Sequence, residues 1–331
     1  MSNIIGIIKK EIAFASLFII LMASACGNVN ESSNDNLNEN DESNIVSSDI
    51  DDNTANITDQ DNQDIDDNTN TAEQNASDND YYSTLNYNCK YGVFLSFEGD
   101  LDLLSDYDLV VIDGQYFSKE EIENFKNKGH IVFSYINIGS IETFRSYYSE
   151  YENLTLDDYE NWEEEKWVDA SSEKWQNFVI NTLAQELLDK GIDGFFVDNC
   201  DVYYHYPNDE MLDGVSTIMK YLVSTGKFVS INGGDVFLDA YCEKKGEWSD
   251  VITGINQETV YSKINWENDT FSENSDKDRK YYSDYIEKYS SLGAYIFLLE
   301  YTRSEDVKKD IDAYCQKHNY LFYISDSIEL D

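Results

Sequence analysis

Eight short runs of nearly unbroken apolar residues are spaced between positions 91 and 325: YGVFLSF (91–97), DLVVID (108–113), HIVFSYI (130–136), DGFFVD (193–198), KFVSIN (227–232), VITGIN (251–256), AYIFLLE (294–300) and YLFYIS (320–325). Their continuity suits strands covered on both faces, as parallel sheets require, rather than the in-and-out alternation of a half-wet antiparallel sheet. Helix signals fill the intervals. Ser118 and Glu121 have capping-box spacing ahead of IENFKNKG, and Gly129 stands where a helix would stop. Ser171 or Ser172 caps a segment whose Trp175, Phe178, Val179, Leu183 and Leu187 share one face, with Gly191 past its end. The stretches 284–292 and 304–318 also read as helical. Eight strands alternating with helices over about 250 residues predict an α/β chain, a single (β/α)8 TIM barrel across 81–331. A doubly wound sheet is the rival, but no GxGxxG or GxxxxGK[ST] follows any strand, which removes that fold's usual phosphate cradle.

What precedes the barrel reads differently. Lys9 and Lys10 lead into IAFASLFIILMASA (12–25), too short to span a bilayer and proportioned like an export signal. It ends in Ala23-Ser24-Ala25-Cys26-Gly27, a lipobox-like pattern, so residues 1–26 are expected to be a lipoprotein-type signal with Cys26 as the lipidation site. Ordinary cleavage at Ala-x-Ala, giving a secreted protein, is the alternative. Residues 27–80 contain 16 Asp or Glu, no Lys or Arg and no aromatic residue. Such a stretch buries too little apolar surface to offset its ordering entropy, so it is expected to be a disordered acidic tether on a cell-surface protein held to the membrane only by its N-terminal lipid.

The whole chain has 66 acidic residues against 23 Lys and Arg. That balance repels nucleic acid and anionic lipid and attracts a cationic partner. Cys89, Cys200, Cys242 and Cys315 lack CxxC spacing and permit three disulfide pairings without selecting one. His130, His205 and His318 are scattered, with no HxH or HExxH, so neither metal nor other cofactor is expected.

In a barrel, function sits at the C-terminal strand ends. The residues there are Ser96, Asp113, Asn137, Asp198 with Asn199, Asn232, Glu258, Glu300 with Tyr301, and Ser325 with Asp326. A single Asp after a strand is usually a turn residue. Several acids converging on one mouth are harder to dismiss, because crowded like charges destabilise one another. Carboxylates with abundant Tyr and Trp fit glycoside hydrolysis, in which one carboxyl protonates the leaving oxygen while a second attacks the sugar or activates water.

Taken in order, YGVFLSF, DLVVID, GHIVFSYINIGSIETFRSYY, KWVDASSEKW, KGIDGFFVDNCDVY, GINQETVY and LLEYT resemble the barrel of glycoside hydrolase family 114, the endo-α-1,4-polygalactosaminidase type. The GxDGxxxDNxD pattern from Gly191 to Asp201 and the WVD-x-S-x-x-x-W element ending at Trp175 carry the match, which spans roughly 91–326. The resemblance implies hydrolysis of a partly deacetylated α-1,4-galactosamine polymer, a cationic polysaccharide suited to an acidic domain. It places the strand-4 acid on Asp198, the strand-6 acid on Glu258 and a sugar-binding Asp on Asp113. By analogy with other barrel glycosidases, Asp198 is taken as nucleophile and Glu258 as general acid/base. Tyr135, Asn199, Asp201, Asn232, Glu300 and Tyr301 are expected to contact substrate. Ser140 stands where the family pattern often has Glu after Gly139, with Glu142 following, so one subsite differs.

The insertion FRSYYSEYENLTLDDYENWEEEKW (144–167) is open to two readings: a lid or sugar subsites built from Tyr147, Tyr148, Tyr151, Tyr159 and Trp162, or aromatics packed beneath a solvated loop. Tyr203, Tyr204 and Tyr206 divide likewise between cleft and packing. His205 is expected to be structural and Trp175 to be core. A non-catalytic polysaccharide-binding lipoprotein remains the competing function; a metal-dependent deacetylase is disfavoured by the dispersed histidines.

Overall fold

The computed structural model describes residues 82–331 apart from residue 161; the expected signal, the Cys26 lipidation site and the tether lie outside these residues. Eight parallel strands form one sheet in the order β1 (Tyr91–Phe94), β2 (Leu109–Ile112), β3 (Ile131–Asn137), β4 (Gly194–Asp198), β5 (Phe228–Asn232), β6 (Gly254–Glu258), β7 (Tyr295–Tyr301) and β8 (Leu321–Ser325). Each expected strand is present. The sixth runs later than 251–256, because a 3-10 turn at Trp248–Asp250 occupies the approach and Val251 and Ile252 pack before the ladder begins. Among the described residues the ladder does not join β1 to β8. Side chains and one loop bond close that seam: the Phe94 and Tyr323 rings lie 5.4 Å apart, and Ser96 N–H donates to Leu330 O at 3.2 Å. The result is a nearly closed barrel.

Helices follow most strands. Ser118 and Glu121 form the reciprocal capping box on Lys119–Lys126. The helix predicted from Ser171 or Ser172 begins at Glu173, passes through a π turn at Val179–Leu183 and ends at Asp189. The helix expected at 284–292 starts earlier, at Asp276, where Ser275 caps it. Between β1 and β2 only a 3-10 turn, Leu101–Leu104, takes the helix's place.

The interior explains how the site is placed. Side chains alternate across a strand, so every second residue faces the lumen. Tyr91, Phe133, Phe228 and Phe297 come from β1, β3, β5 and β7 and meet in one aromatic layer, with centroids 5.1 Å apart for Tyr91–Phe297, 4.9 Å for Phe133–Phe228 and 5.8 Å for Phe228–Phe297. Alternate strands contributing one layer is the packing such barrels use. Full burial of each ring stabilises by about 1.5–3 kcal/mol. From that floor the same inward parity climbs to polar residues: Phe133 to Tyr135 and Asn137, Phe196 to Asp198, Phe228 to Ser230 and Asn232, Asn256 to Glu258, Phe297 to Leu299 and Tyr301.

Two insertions rise at the C-terminal end. One is a three-stranded antiparallel sheet of Ser140–Glu142, Glu165–Val168 and Thr155–Asp158, in that spatial order. The other is the hairpin Ser262–Asn265 with Thr270–Glu273.

Candidate active site

Asp198 ends β4 and Glu258 ends β6, and both are buried, 0% and 3% exposed. Asn232, at the end of the intervening β5, joins them: its Nδ2 donates to Asp198 Oδ1 at 3.1 Å and to Glu258 Oε1 at 2.8 Å. Those two bonds share one nitrogen, so the two accepting oxygens lie at most about 5.9 Å apart. The amide's orientation is fixed from below. Tyr91 O–H donates to Asn256 Oδ1 at 3.1 Å, and Asn256 Nδ2 donates to Asn232 Oδ1 at 2.7 Å, which leaves the Asn232 amino group facing the acids. The floor of the barrel therefore positions its carboxylates through a chain of three polar groups.

The residues just past both acids have left-handed backbone, Asn199 with φ 64° and Thr259 with φ 54°. Asn tolerates that region; a β-branched Thr there is strained by about 1–2 kcal/mol. Bonds hold it: Thr259 N–H donates to Leu299 O at 3.0 Å and Asn274 Nδ2 to Thr259 O at 2.8 Å. Gly139 lets the loop after β3 lie on Asn199, whose carbonyl oxygen would sit 1.8 Å from any added Cβ.

Burial drives both proton affinities. Desolvation pushes Asp198 up to about 7, opposed by the hydrogen bond from Asn232. Glu258 is pushed well above the usual carboxylate range by burial and then by the Asp198 charge, against bonds from Asn232 and Tyr301. Tyr301 O–H donates to Glu258 Oε2 at 3.0 Å.

A second group of charges stands beside Asp198. Arg145 places Nη1 2.8 Å from Asp113 Oδ2 and Nη2 3.0 Å from Glu142 Oε1, and all three residues are buried. Asp113 also caps the 3-10 turn Gly114–Tyr116 by accepting from Gln115 N–H. Tyr135 O–H donates to Glu142 Oε1 at 3.2 Å. Glu165 Oε1 accepts from Asn137 Nδ2 and Asn199 Nδ2, each at 3.0 Å, and from Ser140 Oγ. Burial, followed by the Glu142 charge, raises Glu165 to about 8. The carboxylate expected after Gly139 is thus supplied at Ser140's side by Glu165, reaching in from the insertion.

The other expected residues divide. Tyr135, Asn199, Asn232 and Tyr301 surround the acids. Glu300 has the opposite strand parity from Leu299 and Tyr301 and faces away from the lumen; its oxygens accept from Tyr261 N–H and Ser262 N–H, both at 2.9 Å, and from Ser262 Oγ, so it anchors the hairpin. Asp201 is buried beside Asp235 and Asp198, whose charges reinforce the rise that burial causes in its proton affinity.

The insertion combines both readings given for it. Tyr147 and Tyr151 pack on Phe178 at 4.7 and 4.4 Å, whereas Tyr159 O–H reaches Asn199 Oδ1 at 3.1 Å. Tyr203 is buried, Tyr204 is 40% exposed, and Tyr206 O–H donates to Asp157 Oδ2 at 2.6 Å. His205 stacks on Trp167 at 4.4 Å, and Trp175 donates to Ile138 O at 2.8 Å from the core. All four cysteines named above are free thiols.

Sequence reasoning missed Arg145 and Glu165 as site residues and left Tyr159 open between subsite and packing. Arg145 had one local signal, its ion-pair spacing of three from Glu142; Glu165 had none.

Residues 68–327 match the model of the glycoside-hydrolase family GH114. The chain is 22% identical over 257 residues to an uncharacterised protein of Methanocaldococcus jannaschii, covering 67% of this chain and 71% of that one. The fold is similar to the glycoside hydrolase domain of PelA from Pseudomonas aeruginosa, with a TM-score of 0.60 at 16% identity over 72% of this chain and 96% of that one. It is also similar to Aspergillus fumigatus Ega3 in complex with galactosamine, with a TM-score of 0.58 at 17% identity over 73% and 92% of the two chains.

Proposed function

The chain belongs to glycoside-hydrolase family GH114 and is a glycosidase, and on that premise we propose that it cuts an α-1,4-linked, galactosamine-containing polysaccharide with Asp198 and Glu258 as its reacting pair. The observation that carries this reading is the single Asn232 amino group held between the two buried carboxyls. Asp198, the less raised of the two, is the group that ionises first and attacks the anomeric carbon. Glu258, held protonated to higher pH, gives its proton to the departing glycosidic oxygen and later takes one from water. Tyr301 and Asn232 hold Glu258 in place for both roles. The excess of acids over bases favours a polymer bearing ammonium groups, and the galactosamine bound to Ega3 supports an amino sugar. The protein acts outside the cell, held by a lipid on Cys26 or released after cleavage. Release of reducing ends from partly deacetylated α-1,4-galactosamine polymer tests the reading, and binding without any cutting would replace it with a polysaccharide-binding role.

Retaining glycosidases hold their carboxyls about 5–5.5 Å apart and inverting ones roughly 6.5–9.5 Å. The bound of about 5.9 Å between the nearest oxygens lies below the inverting range. Proton NMR of the product within the first minutes should therefore show the α anomer before mutarotation. The β anomer appearing first would mean that Asp198 activates water instead of attacking the sugar.

The pH profile has a defined sign. Asp198 must be ionised to attack, so kcat/KM should fall about tenfold per pH unit below about 7. Glu258 must be protonated to donate, so activity should fall again on the alkaline side, above the Asp198 limb. A profile flat from pH 5 to 8 would remove Asp198 from the nucleophile's role.

A further inference from the structure

Trp162 rises from the insertion between β3 and β4, and Trp266 from the hairpin after β6. The two indoles meet edge to face, with centroids 5.7 Å apart and planes at 79°. Both pack on the lumen cluster that contains Tyr135 and Tyr301, the tyrosines that donate to Glu142 and Glu258. Both indole N–H groups are buried without an acceptor among the described residues. Trp167 and Trp175, by contrast, donate to Glu160 and to Ile138 O. A buried donor with no acceptor is unfavourable, and two side by side over a catalytic mouth mark a place where a ligand's oxygens complete the bonding.

Each indole is tied to one side of the reacting pair. Trp162 O accepts from Glu165 N–H, and Glu165 is bonded to Asn137, Ser140 and Asn199 beside Asp198. The Trp266 hairpin starts at Ser262, held by Glu300 and donating no bond to Glu258 itself but capping the backbone N–H of Tyr301, whose hydroxyl reaches Glu258. Asp198 and Glu258, between these two loops along the barrel rim, are 0% and 3% exposed.

Building on the glycosidase reading above, we propose that Trp162 and Trp266 are the two jaws of a clamp that grips the sugar unit at the scissile bond, their N–H groups donating to sugar oxygens and their ring faces covering the pyranose. An indole N–H selects an acceptor: a hydroxyl or an acetamide carbonyl satisfies it, whereas an ammonium group is itself a donor and gains only from the ring face. The clamp therefore favours an N-acetylated or hydroxyl-presenting face at this position, while the surrounding acids attract ammonium groups elsewhere on the polymer.

The test uses full-length protein carrying Glu258→Gln, titrated calorimetrically with α-1,4-galactosamine oligosaccharides in fully acetylated, partly acetylated and deacetylated forms. Trp162→Phe and Trp266→Phe keep a ring and delete the donor. Each should weaken binding of the acetylated forms by about tenfold and, in the active enzyme, raise KM by about the same factor with kcat within about twofold and the melting temperature unchanged. Binding and cleavage equal to the parent's in both Phe variants would overturn the clamp and leave the glycosidase standing. A fall in melting temperature that parallels the loss of binding would assign the pair a structural role and overturn it too. If the parent protein neither binds nor cuts any of the three forms, the substrate reading falls and takes the clamp with it.

Discussion

Asp198→Asn should lower kcat on partly deacetylated α-1,4-galactosamine polymer by on the order of 10⁴–10⁶-fold, because without an ionisable oxygen no glycosyl-enzyme bond forms. Glu258→Gln should lower it by about 10²–10⁴-fold, the range for loss of a positioned proton donor. Both replacements preserve shape, and both leave the side chain an oxygen that can accept from Asn232 Nδ2, so the fold should persist. Leaving-group chemistry then separates the two roles. An aryl α-galactosaminide with an acidic phenol departs without protonation, so the Glu258 variant should form its glycosyl-enzyme nearly as fast as the parent while the Asp198 variant stays inactive. Azide should restore turnover in both Ala variants, giving the α-glycosyl azide with Glu258→Ala and the β-glycosyl azide with Asp198→Ala. The reverse pattern would exchange the roles, and full activity in either amide variant would remove that residue from the pair.

Arg145→Met should destabilise the protein by about 3–5 kcal/mol, the usual effect of deleting one partner from a buried ion pair, since Asp113 and Glu142 would then share a dry site without a cation. For a domain of this size that corresponds to a melting temperature lower by roughly 10 °C. The chemistry also predicts its own rescue. Adding Asp113→Asn and Glu142→Gln removes the stranded charges, so the triple variant should recover most of the loss. A shift under about 2 °C, or a triple variant no better than the single, would show that the site tolerates the unpaired charges. The triple variant's catalytic fate is a separate matter, because Glu142 also accepts from Tyr135 in the lumen.

Much of this site was legible in the chain. GFFVD and GINQE each end a strand on an acid, and strand parity turns Asp198 and Glu258 inward above Phe196 and Asn256. The same parity, applied to LLEY, separates Glu300 from Tyr301 and places only Tyr301 in the lumen; grouping the two by their position at a strand end obscured that. Glu165 was illegible, and Tyr159 undecided between two readings, for a different reason. They sit in a polar, aromatic insertion whose periodicity says nothing about depth, and only the fold of that insertion into a three-stranded sheet carries them to Asn199.

The sequence by itself determined the strand number, the parallel barrel and the two acids at its rim, because continuous apolar runs and strand-end position are local properties of the chain. The tertiary structure alone decided which polar groups hold those acids, how far apart they stand and which loops meet above them. Tyr91 lies 165 residues from Asn256, and the Trp162 and Trp266 loops depart from different strands. Such encounters have no period and no spacing: they exist only once the sheet has curled far enough to bring distant strand ends around one mouth.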